Sequence, residues 1–140
     1  MNTKTLLAGL VGGVAAFFLG WLVYGMALDA YMRENTNQCA AIDMKDMNMA
    51  LMIIANLLSG MVMALILSWA NVKSFMDGLM KGALVGLLYG LTFDLMMHSM
   101  STYFNNSTAM VVDVVAGTAM SAIVGGVVGW MLGRGSTSEA

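Results

Sequence analysis

The sequence predicts an all-α integral membrane protein: one domain, 1–140, with four transmembrane helices in an up-down bundle. Three observations carry that prediction. Hydrophobic residues make up 59% of the 140 and charged residues only 10%, whereas a soluble domain carries about 25% charge. The charges sit at the borders of long uncharged intervals. Finally, 16 glycines and no proline are arranged so that small residues recur at every fourth position. A net charge of −2 without a Lys/Arg cluster excludes a nucleic-acid binder, since nothing would neutralise phosphates. The single cysteine, Cys39, excludes an intramolecular disulfide and a cysteine-rich metal site.

The first span is expected at about 5–28, because Lys4 and Asp29 enclose 24 uncharged residues and about 20 suffice to cross a bilayer. Its core is too long for a signal-peptide h-region, and no A-x-A site follows in Ala27–Ala30, so it is expected to be retained. A longer connection, Asp29–Ile42, leads to the second span at about 47–70, within the 26 uncharged residues between Asp46 and Lys73. Asp43 and Asp46 precede it, where a helix N-terminus favours negative charge. Ser74-Phe75-Met76-Asp77 has the form of a capping box and opens the third span, about 76–100. Asn105-Asn106-Ser107-Thr108 offers several N-caps for the fourth, about 109–132. The short second and third connections require antiparallel neighbours. Four spans put Lys4, Lys73, Lys81 and Arg134 on one side and only Arg33 and Lys45 on the other. The positive-inside rule then places both termini in the cytoplasm. Trp69, Phe75 and Trp130 fall near the inner interface, and Tyr24, Tyr31, Tyr103 and Phe104 near the outer one.

Helices in lipid associate through close backbone approach, which small residues permit. Candidate packing rows are Gly78, Gly82, Gly86 and Gly90 on the third span and Gly117, Ser121, Gly125, Gly129 and Gly133 on the fourth. The first span adds Gly12, Ala16 and Gly20, and the second adds Gly60, Ala64 and Ser68. Gly86, Gly90, Gly117, Gly125 and Gly129 are expected to face other helices. A row of period four drifts by about 40° per step on an α-helix, so some glycines must face a second partner. Val11–Val14 and Val124–Val127 share the string Val-Gly-Gly-Val, a hint of a duplicated helix pair.

Extending the third row gives Asp94 and His98, and extending the fourth backwards gives Asp113. Pairing the helices about 101–108 brings the three together near the outer membrane face. Three readings stand: a hydrogen-bonded cluster that pins the hairpin, a proton or ion site, and a metal site poor in ligands. Methionine is 17 of 140 residues. Met44, Met47 and Met49 have the spacing of copper-handling segments, the thioether being a soft ligand, and with His98 they are weak metal candidates. Most methionines lie within the spans, where they fill gaps between glycine-rich helices. Asn56 is read as an interhelical hydrogen-bonding residue. No hydrolase constellation, H-E-x-x-H, P-loop or G-x-G-x-x-G appears, so neither an enzyme nor a cofactor is expected.

Phe17-Phe18-Leu19-Gly20-Trp21-Leu22-Val23-Tyr24-Gly25, Phe93-Asp94-Leu95 and the stretch from Asp113 to Gly133 together resemble a bacterial family of small four-span membrane proteins catalogued only as a domain of unknown function. The resemblance implies a fold and an inner-membrane location, and it brings no activity or catalytic residues. The leading functional expectation is a scaffold or accessory subunit, acting by helix association in a homo-oligomer or with other membrane subunits in the bilayer. Its motive is four small-residue rows, more packing surface than one bundle uses internally. The alternatives are a small transporter or proton/ion conductor using Asp94, His98 and Asp113, and a copper-handling protein.

Overall fold

The computed structural model describes residues 2–42 and 44–134, with only the backbone for Ala40 and Met44. Asp43, one of the two acids expected before the second span, lies outside the described residues. The chain is an all-α, multi-pass membrane protein. Its four long helices are α1 (Thr3–Leu22), α3 (Met49–Trp69), α4 (Phe75–Met100) and α5 (Ser107–Gly133), and a short α2 (Asp29–Asn35) follows α1. Each long helix starts on a polar cap. Asn2, Asn48, Ser74 and Asn106 accept from the backbone N–H of Thr5, Leu51, Asp77 and Ala109, satisfying donors that the first turn leaves open. Asn48, not an aspartate, therefore begins α3, and Asp46 ends a preceding 3-10 turn, Met44–Asp46.

Two features depart from the sequence reading. Val23–Ala27 is a π-helical turn that prolongs α1 to the end of its span, closed by Leu28 N–H donating to the Val23 carbonyl at 2.7 Å. The connection over Asp29–Ile42 holds α2, which a 2.9 Å Arg33–Asp29 pair at i,i+4 supports. The α3–α4 turn is a Schellman motif. Val72 N–H bonds the Leu67 carbonyl at 3.0 Å and Asn71 N–H that of Ser68 at 3.1 Å. Asn71 takes the left-handed position, φ 54°, which asparagine tolerates better than most side chains.

The four long helices pack as two tight pairs, α1 with α3 and α4 with α5, joined mainly through α1 against α5. In the α4/α5 seam a Cβ placed at Gly82 would come 2.6 Å from the Ser121 carbonyl oxygen and 2.8 Å from the Gly125 Cα. One at Gly129 would lie 2.5 Å from the Ser74 carbonyl, one at Gly125 would meet Gly78 and Gly82, and one at Gly86 would meet Ser121. In the α1/α3 seam Gly60 faces the backbone of Gly9 and Gly13. Gly12 instead faces α5, where a Cβ would come 2.6 Å from a methyl of Val128. The glycines of α1 thus serve two neighbours, as the 40° drift requires. Between the pairs Ala8, Ala64, Leu67 and Val128 are fully buried.

Gly90 and Gly117 do not fit the expected row. No atom of a neighbouring element lies within 4 Å of a Cβ at either, so the glycine-to-backbone contacts of the α4/α5 seam end at Gly86. Gly20 is nearly as open, with only the Met120 methyl at 3.8 Å. At the outer end two connections are stitched together. Thr36 and Phe104 form an antiparallel bridge, Asn37 N–H donates to the Tyr103 carbonyl at 2.7 Å, and Asn105 N–H donates to that of Asn35 at 2.9 Å. Both bridge residues are buried.

Candidate functional site

Outward of Gly86 the positions of Gly90 and Gly117 are open, and polar side chains meet beyond them. Asp94 lies six residues before the end of α4, and Asp113 six after the start of α5. At a rise of about 1.5 Å per residue both stand roughly 9 Å inside the outer helix ends. Their carboxyl groups are within hydrogen-bonding reach of each other. Asp94 is only 3% exposed, and its Oδ2 is a buried oxygen with no hydrogen-bond partner among the described residues. Asp113 is half-buried and faces a cup of about 520 Å³ whose wall also carries Tyr24, Asp29, Arg33 and Tyr103.

Tyr24 comes to the pair from α1. Its hydroxyl donates to the Asp113 backbone carbonyl at 3.4 Å, a long and therefore weak bond. Tyr103 comes from the α4–α5 connection. Partial burial, reinforced by the neighbouring carboxyl groups of Asp113 and Asp94, pushes its phenol above the ordinary tyrosine range, against a hydrogen bond with Thr36 that lowers it. A proton or a cation between two such neighbouring carboxyl groups relieves their mutual repulsion, so this arrangement can hold either.

His98 does not join the site. It is exposed, and its ring lies 6.5 Å from that of Phe104. The drift that turns Gly12 towards a different neighbour from Gly9 also carries the last turn of α4 away from α5. Tyr24 takes the place that the sequence reading gave to the histidine. As an aromatic near the outer interface it was visible, but that α1 would pack against α5 and bring it to Asp113 has no signal in residue type.

Among the weak metal candidates, Met47 is half-buried and Met49 exposed. Together with Met52 they line a pocket of about 360 Å³ beside Trp21 and Asn56. His98 is not on its wall, and the side chain of Met44 is outside the described residues. No cluster of three or more His, Cys, Asp or Glu able to hold a metal occurs among the described residues. Asn56 donates back to the Met52 carbonyl of its own helix at 2.9 Å, in place of the interhelical bond expected of it. Comparison with known proteins leaves the site to be read from its own chemistry: no family model, curated protein or solved structure matches this chain.

Proposed function

We propose that the protein takes up and releases a proton or a small cation at the Asp94–Asp113 pair, as a small transporter or ion-conducting protein of the bilayer. One observation carries the proposal: a carboxyl group 3% exposed, with an oxygen lacking a partner among the described residues, sits beside a second carboxyl group under a solvent-sized cup. An ionisable group inside a membrane costs several kcal/mol and is retained for ion or proton pathways, or for substrate contact. Packing alone would be served better by leucine or asparagine. The motive for the scaffold expectation is weakened in parallel, since most of the small-residue rows are used inside the bundle. Lys4 and Lys73 lie along one depression with Asn2, Ser68 and Leu132, so the basic residues gather at one end. By their number we assign that end to the cytoplasm of a bacterial inner membrane. The cup then opens to the periplasm.

The test is proton release from purified protein in weak buffer on addition of monovalent and divalent cations, together with flux in liposomes. About one proton per chain is expected, as two carboxyl groups share one, and it should be absent from Asp94→Asn. Release and flux identical in the parent and in Asp94→Asn would end the proposal.

A second reading, association with another membrane protein, draws on one feature. α3 and α4 are consecutive yet touch little, leaving a cleft of about 460 Å³ floored by Gly86 and Ser121 and edged by Tyr89. Stoichiometric co-purification of a different membrane protein from native membranes would favour it.

A further inference from the structure

The two halves of the bundle are packed in opposite ways. In the inner half Gly9, Gly13 and Gly60 hold α1 against α3, Gly78, Gly82, Gly125 and Gly129 hold α4 against α5, and a fully buried layer of Ala8, Ala64, Leu67 and Val128 fills the space between. That layer is apolar and has no room for water. Above it a cavity of about 230 Å³ opens between α1, α3 and α5, with Tyr24, Asn56, Ser59, Gly117 and Ser121 on a wall that is otherwise apolar. A water molecule takes about 30 Å³ of liquid and needs polar partners. The chamber offers both the volume for several waters and hydroxyl and amide groups to bind them.

Tyr24 stands between this chamber and the outside. It lies on the wall of the chamber, of the cup that holds Asp113, and of the apolar pocket beside Trp21. Tyr24 lies in the first half of the π turn, and π turns inside α-helices are frequent at functional sites. Its hydroxyl meets the Asp113 backbone carbonyl at 3.4 Å and lies beside the Asp113 carboxyl group, so the ring covers the way past that acid.

We infer that Tyr24 is the access-controlling residue of a hydrated half-path, which runs from the outer cup past Asp113 into the mid-membrane chamber and stops at the close-packed inner layer. The species that it admits are protons, water and small hydrophilic cations. The inference rests on the reading of Asp94 and Asp113 as an uptake site, and it extends that site inward. Tyr24 is a positioning residue here. It controls what reaches the carboxyl pair and the chamber, and the proton or cation is held by the acids.

Cysteine accessibility tests it. In a Cys39→Ser background, Gly117→Cys places a thiol in the chamber, at a position with room for a side chain, and Val128→Cys places one in the inner layer. Each is made with Tyr24, Tyr24→Phe and Tyr24→Ala, and right-side-out vesicles are treated with a membrane-impermeant trimethylammonium methanethiosulfonate. Gly117→Cys should react slowly with Tyr24 and at nearly the same rate with Tyr24→Phe, which keeps the ring. With Tyr24→Ala it should react faster by on the order of tenfold. Val128→Cys should stay unreactive throughout. A Gly117→Cys thiol as inert as Val128→Cys even with Tyr24→Ala overturns the path. A rate unaffected by Tyr24→Ala overturns the gate, and so does a Val128→Cys thiol that becomes reactive, since that would mean general loosening. Thiol modification reads no proton. A reactive, Tyr24-controlled chamber without Asp94-dependent proton release would therefore keep the path while removing the uptake reading.

Discussion

Gly82 and Gly90 are two turns apart on the same helix, and the cost of a methyl group at each should differ in sign. At Gly82 the new Cβ would meet backbone on α5 at 2.6 and 2.8 Å, which no rotamer change relieves. Gly82→Ala should therefore cost at least the ~1–3 kcal/mol typical of overpacking. At Gly90 and Gly117 the space is open, and alanine in a helix restricts the unfolded chain more than glycine does. Gly90→Ala and Gly117→Ala should be neutral or stabilise by up to ~1 kcal/mol. Thermal unfolding in detergent separates the two outcomes, and equal shifts at positions 82 and 90 would contradict the seam described above. The small-residue spacing was legible as a row. Where the row stops being used was not, because the point at which two helices diverge depends on what fills the space between them.

At the scale of elements, the outer cap deserves a separate test. The connection after α2 and the α4–α5 connection are tied by the Thr36–Phe104 bridge and by an Asn106 Nδ2 to Asn35 Oδ1 bond of 2.8 Å. Tyr103 sits in this cap with its phenol held protonated to higher pH than usual. The raised folded value means that its stabilisation is complete below the ordinary tyrosine range, near about 10, and is lost as pH rises through it towards the folded value. Thermal stability should fall over this alkaline window, and Tyr103→Phe should make the fall shallower. An unchanged slope would remove Tyr103 from the account. The long helices and two of their caps were readable locally, from uncharged length and from Ser74 and the Asn105–Thr108 group ahead of α4 and α5. α2 was hidden because its support, the Arg33–Asp29 pair, is a surface interaction worth little. The cap that holds it in place comes from residues about 70 positions along the chain.

For the whole molecule, orientation is the prediction that the charges make. An alkaline phosphatase fusion after Arg134 should be inactive and one within the connection between α2 and α3 active, with a fluorescent-protein fusion reporting the reverse. The opposite pattern would turn the cup towards the cytoplasm. The bundle is asymmetric along its axis, close-packed at the basic end and hollow at the other, and the carboxyl pair lies in the hollow half. Mutations in the inner seams should therefore lower stability, whereas Tyr24→Ala should change access to the chamber with little effect on melting. Equal losses of stability from Gly82→Ala and Tyr24→Ala would mean that the two halves are not mechanically distinct.

Composition and charge spacing alone determined that this is a four-span, all-α membrane protein, because a bilayer admits few charges and demands a minimum helix length, both of which are local counts. They also marked Asp94 and Asp113 as polar residues in costly positions. Tertiary structure decided which groups meet them. A fixed four-residue step and an ideal hairpin would have brought His98 inward, but it is exposed at the last turn of α4, and Tyr24 reaches Asp113 from α1 instead. Which side chains meet there is set by backbone contacts between helices distant in sequence, at which one methyl group too many changes the distance between them.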